Sequence, residues 1–553
     1  MPRAASRRRP RAWALALALI LVARPGPAEP PPARSAGEHD AVDGSLLELG
    51  ERIYHEGLTT PATPVTASVL GDVPVEGGQA ACVNCHRRSG LGISEGETGA
   101  LPTTGRLLFQ ARKSGHRPRP AYTEETLARA IRTGIDSADR PLEAPMPAYR
   151  FSDREMAGLS AYLETLSATV SPGVTDTSIH FATVLTEEVD ADRRQAMLDV
   201  LETFFNEKNA QSRAEGRRAQ RGPFYRDFSN KSFREWRLHR WLLSGAPETW
   251  PQQLDDHYRR RPVFALVSGI STRQWQPVHA FCESRGVPCI LPNTDLPVTG
   301  SEDFYTTYFS EGLTLEAKSI AEHVWRRGGD QQILQVFRPQ TAGSVAARAL
   351  RSALVERGRR APVDWSISAD HEITTSELVE RRGSAGANVI VAWLGPADLA
   401  RLEHLPRGDN PVALYLSSTL LDGEIAEVPA AIQPIGMVAH PYTLPEHLEN
   451  RFGRVDAWLK SRKIEPRHPR IQAQTFFACM VTGRSLMHIR TFFYRDYFMD
   501  SIDHAEGLAR ISAFYPRPSF GPGQRYLAKG SYLVESRGAG QSALVSKASW
   551  VVP

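Results

Sequence analysis

Cys82-Val83-Asn84-Cys85-His86 is the stretch on which the reading of this chain turns. Two thiols are separated by two residues, and an imidazole follows the second at once. This is the attachment pattern of c-type haem: the thiols add to the two vinyl groups, and the adjacent His is held where it must coordinate the iron. Residues about one turn apart share a helix face, so a short helix suits the spacing. A zinc half-site would need two further ligands at matching spacing, and none is found. A thioredoxin-like pair would follow a strand in a βαβ unit, which this region lacks. The expectation is one covalent haem c, with Cys82, Cys85 and His86 as its attachment and proximal residues.

Working outward, Ala144-Pro145-Met146-Pro147 offers a sixth ligand about sixty residues later. The prolines stiffen the loop, and a thioether on a stiff loop coordinates at low entropic cost. Met146 is therefore expected to bind the iron opposite His86. Met156 fits better as a core residue of the next helix, and His116 as a surface loop residue. That helix is announced by Ser152, with Glu155 at the capping-box position, followed by Met156, Leu159, Tyr162, Leu163 and Leu166 on one face. The Gly-rich stretch from Gly90 to Gly99 has no apolar strand before it and reads as loop.

In these residues the chain resembles the class I cytochrome c family over roughly 44–168. The resemblance implies an all-α domain whose last helix packs on a first helix, here Ser45 to His55, with a middle helix from Thr123 to Gly134. Ahead of it, Arg3, Arg7, Arg8, Arg9 and Arg11 precede an apolar run from Trp13 to Ala23 and the small residues Pro25-Gly26-Pro27-Ala28. That layout is a Sec-type signal peptide over 1–28, implying export to the periplasm. Residues 29–43 read as a flexible leader. No later stretch is long and apolar enough to span a bilayer. The net charge of +4 in 553 residues, without long runs of one sign, gives no sign of nucleic-acid binding.

After Ser171-Pro172-Gly173, a linker over 169–177, the pattern changes. Apolar runs at 178–185, 262–270, 287–291, 332–337, 388–394 and 412–417 alternate with amphipathic helices at 192–208, 273–285, 313–326 and 345–356. Such alternation predicts parallel sheets covered on both faces, arranged as two lobes over 178–553. The carrying residues Phe264-Ala265-Leu266-Val267-Ser268-Gly269-Ile270-Ser271-Thr272 and Gly286-Val287-Pro288-Cys289-Ile290-Leu291-Pro292-Asn293-Thr294-Asp295 resemble the type I periplasmic substrate-binding proteins of the branched-chain amino-acid receptor group. So does the stretch from Tyr515 to Arg525. The fold class expected is thus multidomain: an all-α cytochrome c domain, then an α/β two-lobed periplasmic-binding-protein type I domain.

The resemblance implies a cleft for a small amino acid or carboxylate, lined by Ser271, Thr272, Thr294 and Asp295, with helix-start N–H groups suited to an anion. A bland alternative is that Ser271 or Thr272 caps the helix expected at Arg273. Trp393 could wall the cleft or fill a core. Thr186-Glu187-Glu188-Val189-Asp190 stands where the family has a Gly-rich turn, and 209–252 is polar and poorly matched. Cys282 and Cys289 could pair in an oxidising compartment, but buried free thiols, with Cys479, are the default. No catalytic residues stand out. The function expected is single-electron transfer to or from a redox partner, and the resemblance implies a periplasmic dehydrogenase as that partner. The alternative is a solute sensor with a haem-linked response.

Overall fold

The computed structural model describes residues 44–92, 94–95, 98–113, 117–219, 234–300, 303–328, 331–402, 413–425, 428–433, 435–503, 514–520, 524–535 and 547–553. The signal peptide and leader expected at 1–43, and His116, lie outside these residues.

The first part is built on two helices, Gly44–Glu56 and Asp153–Thr165. They cross where both sequences carry glycine. A Cβ on Gly50 would lie 2.0 Å from the Gly158 carbonyl oxygen, so the backbones touch with no room for a side chain. The second helix starts as its sequence indicates. Glu155 N–H donates to Ser152 Oγ at 3.3 Å, and Ser152 N–H donates to Glu155 Oε2 at 2.7 Å. The helix expected at 123–134 spans Glu124–Thr133, capped by Thr123 and closed by left-handed Gly134.

The all-α expectation needs correction. Strands β1 (Leu58–Thr60) and β2 (Thr63–Pro64) pair, and β3 (Thr66–Val69) pairs with β4 (Val73–Glu76). β5 (Ser94–Glu95) pairs with β6 (Thr98–Gly99), and β7 (Ala148–Tyr149) joins β3. These strands are two to four residues long, too short to leave an alternating pattern in the sequence.

The second part contains two parallel sheets. The first holds β8 (Ser178–Thr186), β9 (Glu235–Leu243), β10 (Ala265–Val267), β11 (Ile270–Ser271), β12 (Cys289–Ile290), β13 (Asn293–Thr294) and β14 (Thr306–Thr307). β10 and β11 are one strand interrupted by Ser268 and Gly269, at φ 55° and 122°. β12 and β13 are likewise interrupted at Leu291 and Pro292, with Leu291 at φ 52°. Counting each pair once, the spatial order is 2-1-3-4-5, all parallel. The second sheet holds β15 (Ile333–Phe337), β16 (Val363–Ser366), β17 (Val389–Trp393), β18 (Ala413–Ser417) and β19 (Gly436–His440), again in the order 2-1-3-4-5 and parallel. Antiparallel β20 (Ser531–Glu535) and β21 (Lys547–Val551) extend it past β19. Each sheet has an apolar core on both faces.

The chain passes between the lobes three times. After β14 it enters the second lobe, whose core takes in the helix Leu313–Arg327. After β19 it returns, and the helices Pro445–Ser461, Pro469–Ile489 and Arg495–Asp503 pack into the first lobe's core. It then leaves for β20. The crossings bond to one another: Tyr308 N–H donates to Arg525 O at 2.8 Å, Ala528 N–H to Phe309 O at 2.8 Å, and Thr443 N–H to Phe514 O at 2.6 Å.

Strand β9 was not expected. It is an edge strand with alternate residues exposed, and its charged side chains hide Trp236, Trp241 and Leu243, which are buried. The helix expected from Arg273 begins at Gln276.

The haem-motif segment rests on the first lobe. Ser89 N–H donates to Asp500 Oδ2 at 3.0 Å, and the Arg88 guanidinium lies 4.8 Å over the Phe304 ring. Asp500 is buried, and burial pushes its carboxyl up to about 7 against the pull of the Ser89 bonds. The unfolded carboxyl loses its proton near 4 while the folded one keeps it to about 7, so stability falls as pH rises through that window. Asp500→Asn cannot ionise. It should match the parent near pH 4 and exceed it at pH 8 by on the order of a few kcal/mol, measured by denaturant unfolding at both values. A variant equally destabilised at both would refute this.

Candidate functional site

The motif folds as one short helix, Val83–His86, held by a bond from Asn84 Nδ2 to Gly78 O at 2.7 Å. His86 is buried, and its Nδ1 bonds to the Leu101 carbonyl at 2.8 Å. A carbonyl only accepts, so Nδ1 carries the proton and Nε2 keeps its lone pair. That Nε2 is buried without a hydrogen-bond partner. Burial also lowers the imidazole pKa, which keeps the ring neutral.

Cys82, Cys85, His86 and Met146 all line one cavity of about 550 Å³. Cys85 is exposed and Cys82 half-buried. Tyr149 ties the Met146 loop to the motif, because its hydroxyl donates to Ala80 O at 2.9 Å. The donor set fits haem c: two thiols, an imidazole lone pair otherwise orphaned, and a thioether in the same space. Met156 sits in the helix core at 6% exposure, as its spacing implied. Sequence reading missed the arginines on the cavity wall, Arg112, Arg117 and Arg119. They suit a prosthetic group with anionic side chains. Arg112 and Arg119 also brace the wall, donating to Arg117 O at 2.7 Å and Leu107 O at 3.0 Å.

The four cleft candidates lie where expected, at the carboxyl ends of β11 and β13, but each is engaged within the chain. Ser271 Oγ accepts from Arg273 N–H at 3.0 Å in a local turn, and it does not cap the helix, which starts at Gln276 with no side-chain cap. Its hydroxyl donates to Glu188 Oε1 at 3.1 Å, and Thr272 lies 3.5 Å from the same oxygen. Thr294 Oγ1 accepts from Leu296 N–H at 3.2 Å. Asp295 pairs with Arg470 at 2.7 and 3.3 Å. Trp393 fills the second core, its indole donating to Gln335 Oε1 at 3.3 Å.

Cys282, Cys289 and Cys479 are buried free thiols. His279, Glu283 and Asp303 also lie together. Glu283 is spent on structure, accepting from the N–H groups of Phe304, Tyr305 and Thr306 at 2.8–3.0 Å.

Residues 78–167 match the cytochrome c family. No curated protein matches the chain. Among solved structures, a leucine binding protein from Thermotoga maritima is 11% identical, with TM-score 0.46 over 68% of this chain and 99% of that one. A solute binding protein from R. palustris, in complex with benzoate, is 12% identical, with TM-score 0.47 over 68% and 97%. A branched chain amino acid ABC transporter protein from Thermus thermophilus, with bound valine, is 11% identical, with TM-score 0.46 over 66% and 94%. Among the described residues, no helix is long and apolar enough to cross a membrane.

Proposed function

We propose, starting from a cytochrome c segment at residues 78–167, that the protein is an exported, periplasmic carrier of single electrons. Cys82 and Cys85 would hold one haem c covalently, and His86 and Met146 would supply the groups that bind its iron. When bound, that group supplies a reversible one-electron couple. The observation that carries the reading is the buried, unpartnered Nε2 of His86 beside a cavity that Met146 and both thiols also line. The Leu101 carbonyl fixes the tautomer and the ring orientation, which supports the ligand role. Two protein ligands leave no open position for substrate, which favours electron transfer over haem catalysis. Residues 44–168 form the redox domain, and 178–553 form a two-lobed unit that positions the redox partner. A haem-linked solute sensor is the second reading.

The test is haem content and redox behaviour of the purified full chain. One covalent haem per chain, reversibly reduced, supports the carrier. More than one haem, or none, sinks it. Met146→Ala should keep the haem attached but raise affinity for added imidazole by roughly tenfold or more, because no thioether competes. Met156→Ala should leave imidazole binding unchanged. The reverse pattern would move the ligand to Met156.

A further inference from the structure

Asp500 lies against the haem-motif loop with no cation to neutralise it. It is 6% exposed on the helix Arg495–Asp503, and its Oδ2 accepts the Ser89 N–H at 3.0 Å. Among the described residues, no Lys or Arg pairs with it. Its charged neighbours on the same helix, Asp496 and Asp503, are acids and disfavour a further negative charge. Arg88 of the loop lies instead over Phe304 and is drawn to Tyr305 and Asp496. Asp503 is itself paired with Arg525 at 2.5 Å. Tyr54 from the first helix and Tyr497 also face the carboxyl, and burial keeps both phenols neutral. An ionised Asp500 is therefore a buried charge without a counter-ion, which is costly, so the group holds its proton to about 7.

Its position joins it to the haem site. Ser89 follows His86 by three residues in the sequence. Tyr54 lines the same cavity as His86 and Met146, and its hydroxyl donates to Arg87 O at 2.6 Å. The charge of Asp500 acts on that same Tyr54, so one side chain borders both the cavity and the acid. A unit of positive charge in the cavity favours the carboxylate, and its loss favours the acid. In a low-dielectric interior such a change alters a neighbour's proton affinity roughly tenfold.

We propose that Asp500 is a redox-linked proton site, so that the protein takes up a proton together with the electron it carries. This rests on the electron-carrier reading. One electron from the redox partner turns ferric haem ferrous. The Asp500 carboxylate takes one proton from water, and an O–H bond forms at that carboxyl. Oxidation by the next partner reverses both, and the proton returns to water. The two-lobed part thus supplies a residue that sets the potential of the first part. By linkage, the affinity for the electron falls as pH rises and Asp500 ionises.

The test is potentiometric titration of the full holoprotein from about pH 5 to about pH 9. The parent's potential should fall around neutral pH by about 59 mV in total, the one-electron equivalent of a tenfold change. Asp500→Asn keeps an acceptor for the Ser89 N–H but cannot ionise, and it should lose this fall. Asp503→Asn removes a neighbouring negative charge, and it should move the fall to lower pH. The reduced-minus-oxidised infrared spectrum of the parent should show a protonated-carboxyl band that Asp500→Asn lacks. A fall that survives unchanged in Asp500→Asn overturns the proposal, because another group then carries the proton. A chain with no reversible haem overturns this and the carrier reading together. A reversible couple that ignores pH overturns this one alone.

Discussion

Replacing Cys82 and Cys85 together by serine should abolish haem staining on a denaturing gel, because serine forms no thioether and a haem without one dissociates on denaturation. The structural effect should be as large. A void of about 550 Å³ would remain in a domain whose core includes Tyr149, Leu159 and Leu163 around that space. That space opens to solvent at the exposed Cys85, so water would wet its apolar lining and the packing that a haem supplies would be lost. The double variant should therefore lose the cooperative melting of residues 44–168, while the two-lobed part keeps its own transition. Either single variant keeps one thioether and should still stain. A double variant that stains would end the haem reading of the motif.

Arg495→Met should lower stability by about 3–5 kcal/mol, although the residue touches no candidate site. Its buried guanidinium donates to Val263 O at 2.6 Å, Phe264 O at 3.0 Å and Gly286 O at 3.1 Å, and to Tyr258 OH at 3.0 Å. The helix Arg495–Asp503 is thereby pinned to the chain entering β10 and to the turn before β12. Methionine fills much of the volume but leaves these acceptors unsatisfied. Lysine has three donors on one atom and cannot span a planar fork of acceptors, so Arg495→Lys should recover only part of the loss. Denaturant unfolding followed through the buried Trp250 and Trp275 measures both. A loss under about 1 kcal/mol for Arg495→Met would show that water replaces the guanidinium.

The haem motif was legible because its chemistry needs contiguous residues. Two thiols and an imidazole must lie within one helical turn, so the spacing itself is the signal. Met146, which lines the same cavity, could be picked out as a candidate because its stiff loop is also local. The lobes were legible from apolar alternation at β8, β10, β12, β15, β17 and β18; β9 was not, because an edge strand keeps charges on its open face, and β14, β16, β19, β20 and β21 also went unread. The cleft was not legible in the same way. Ser271, Thr272, Thr294 and Asp295 lie at the ends of β11 and β13. Their partners Glu188 and Arg470 come from distant segments, and no one-dimensional pattern marks an ion pair between residues 295 and 470. Glu188 was visible only as a departure from a glycine-rich turn, and that departure now has a physical content: its carboxylate accepts the Ser271 hydroxyl.

The bond between Ser89 and Asp500 joins residues 411 positions apart. At about 5–20 residues per second, a ribosome needs on the order of 20–80 s to travel that interval. The residues that form the crossing at Gly50 and Gly158, and the cavity beside it, are therefore all synthesised long before Asp500. The loop bearing Arg88 and Ser89, next to the two thiols, gains its covering face only from the last tenth of the chain.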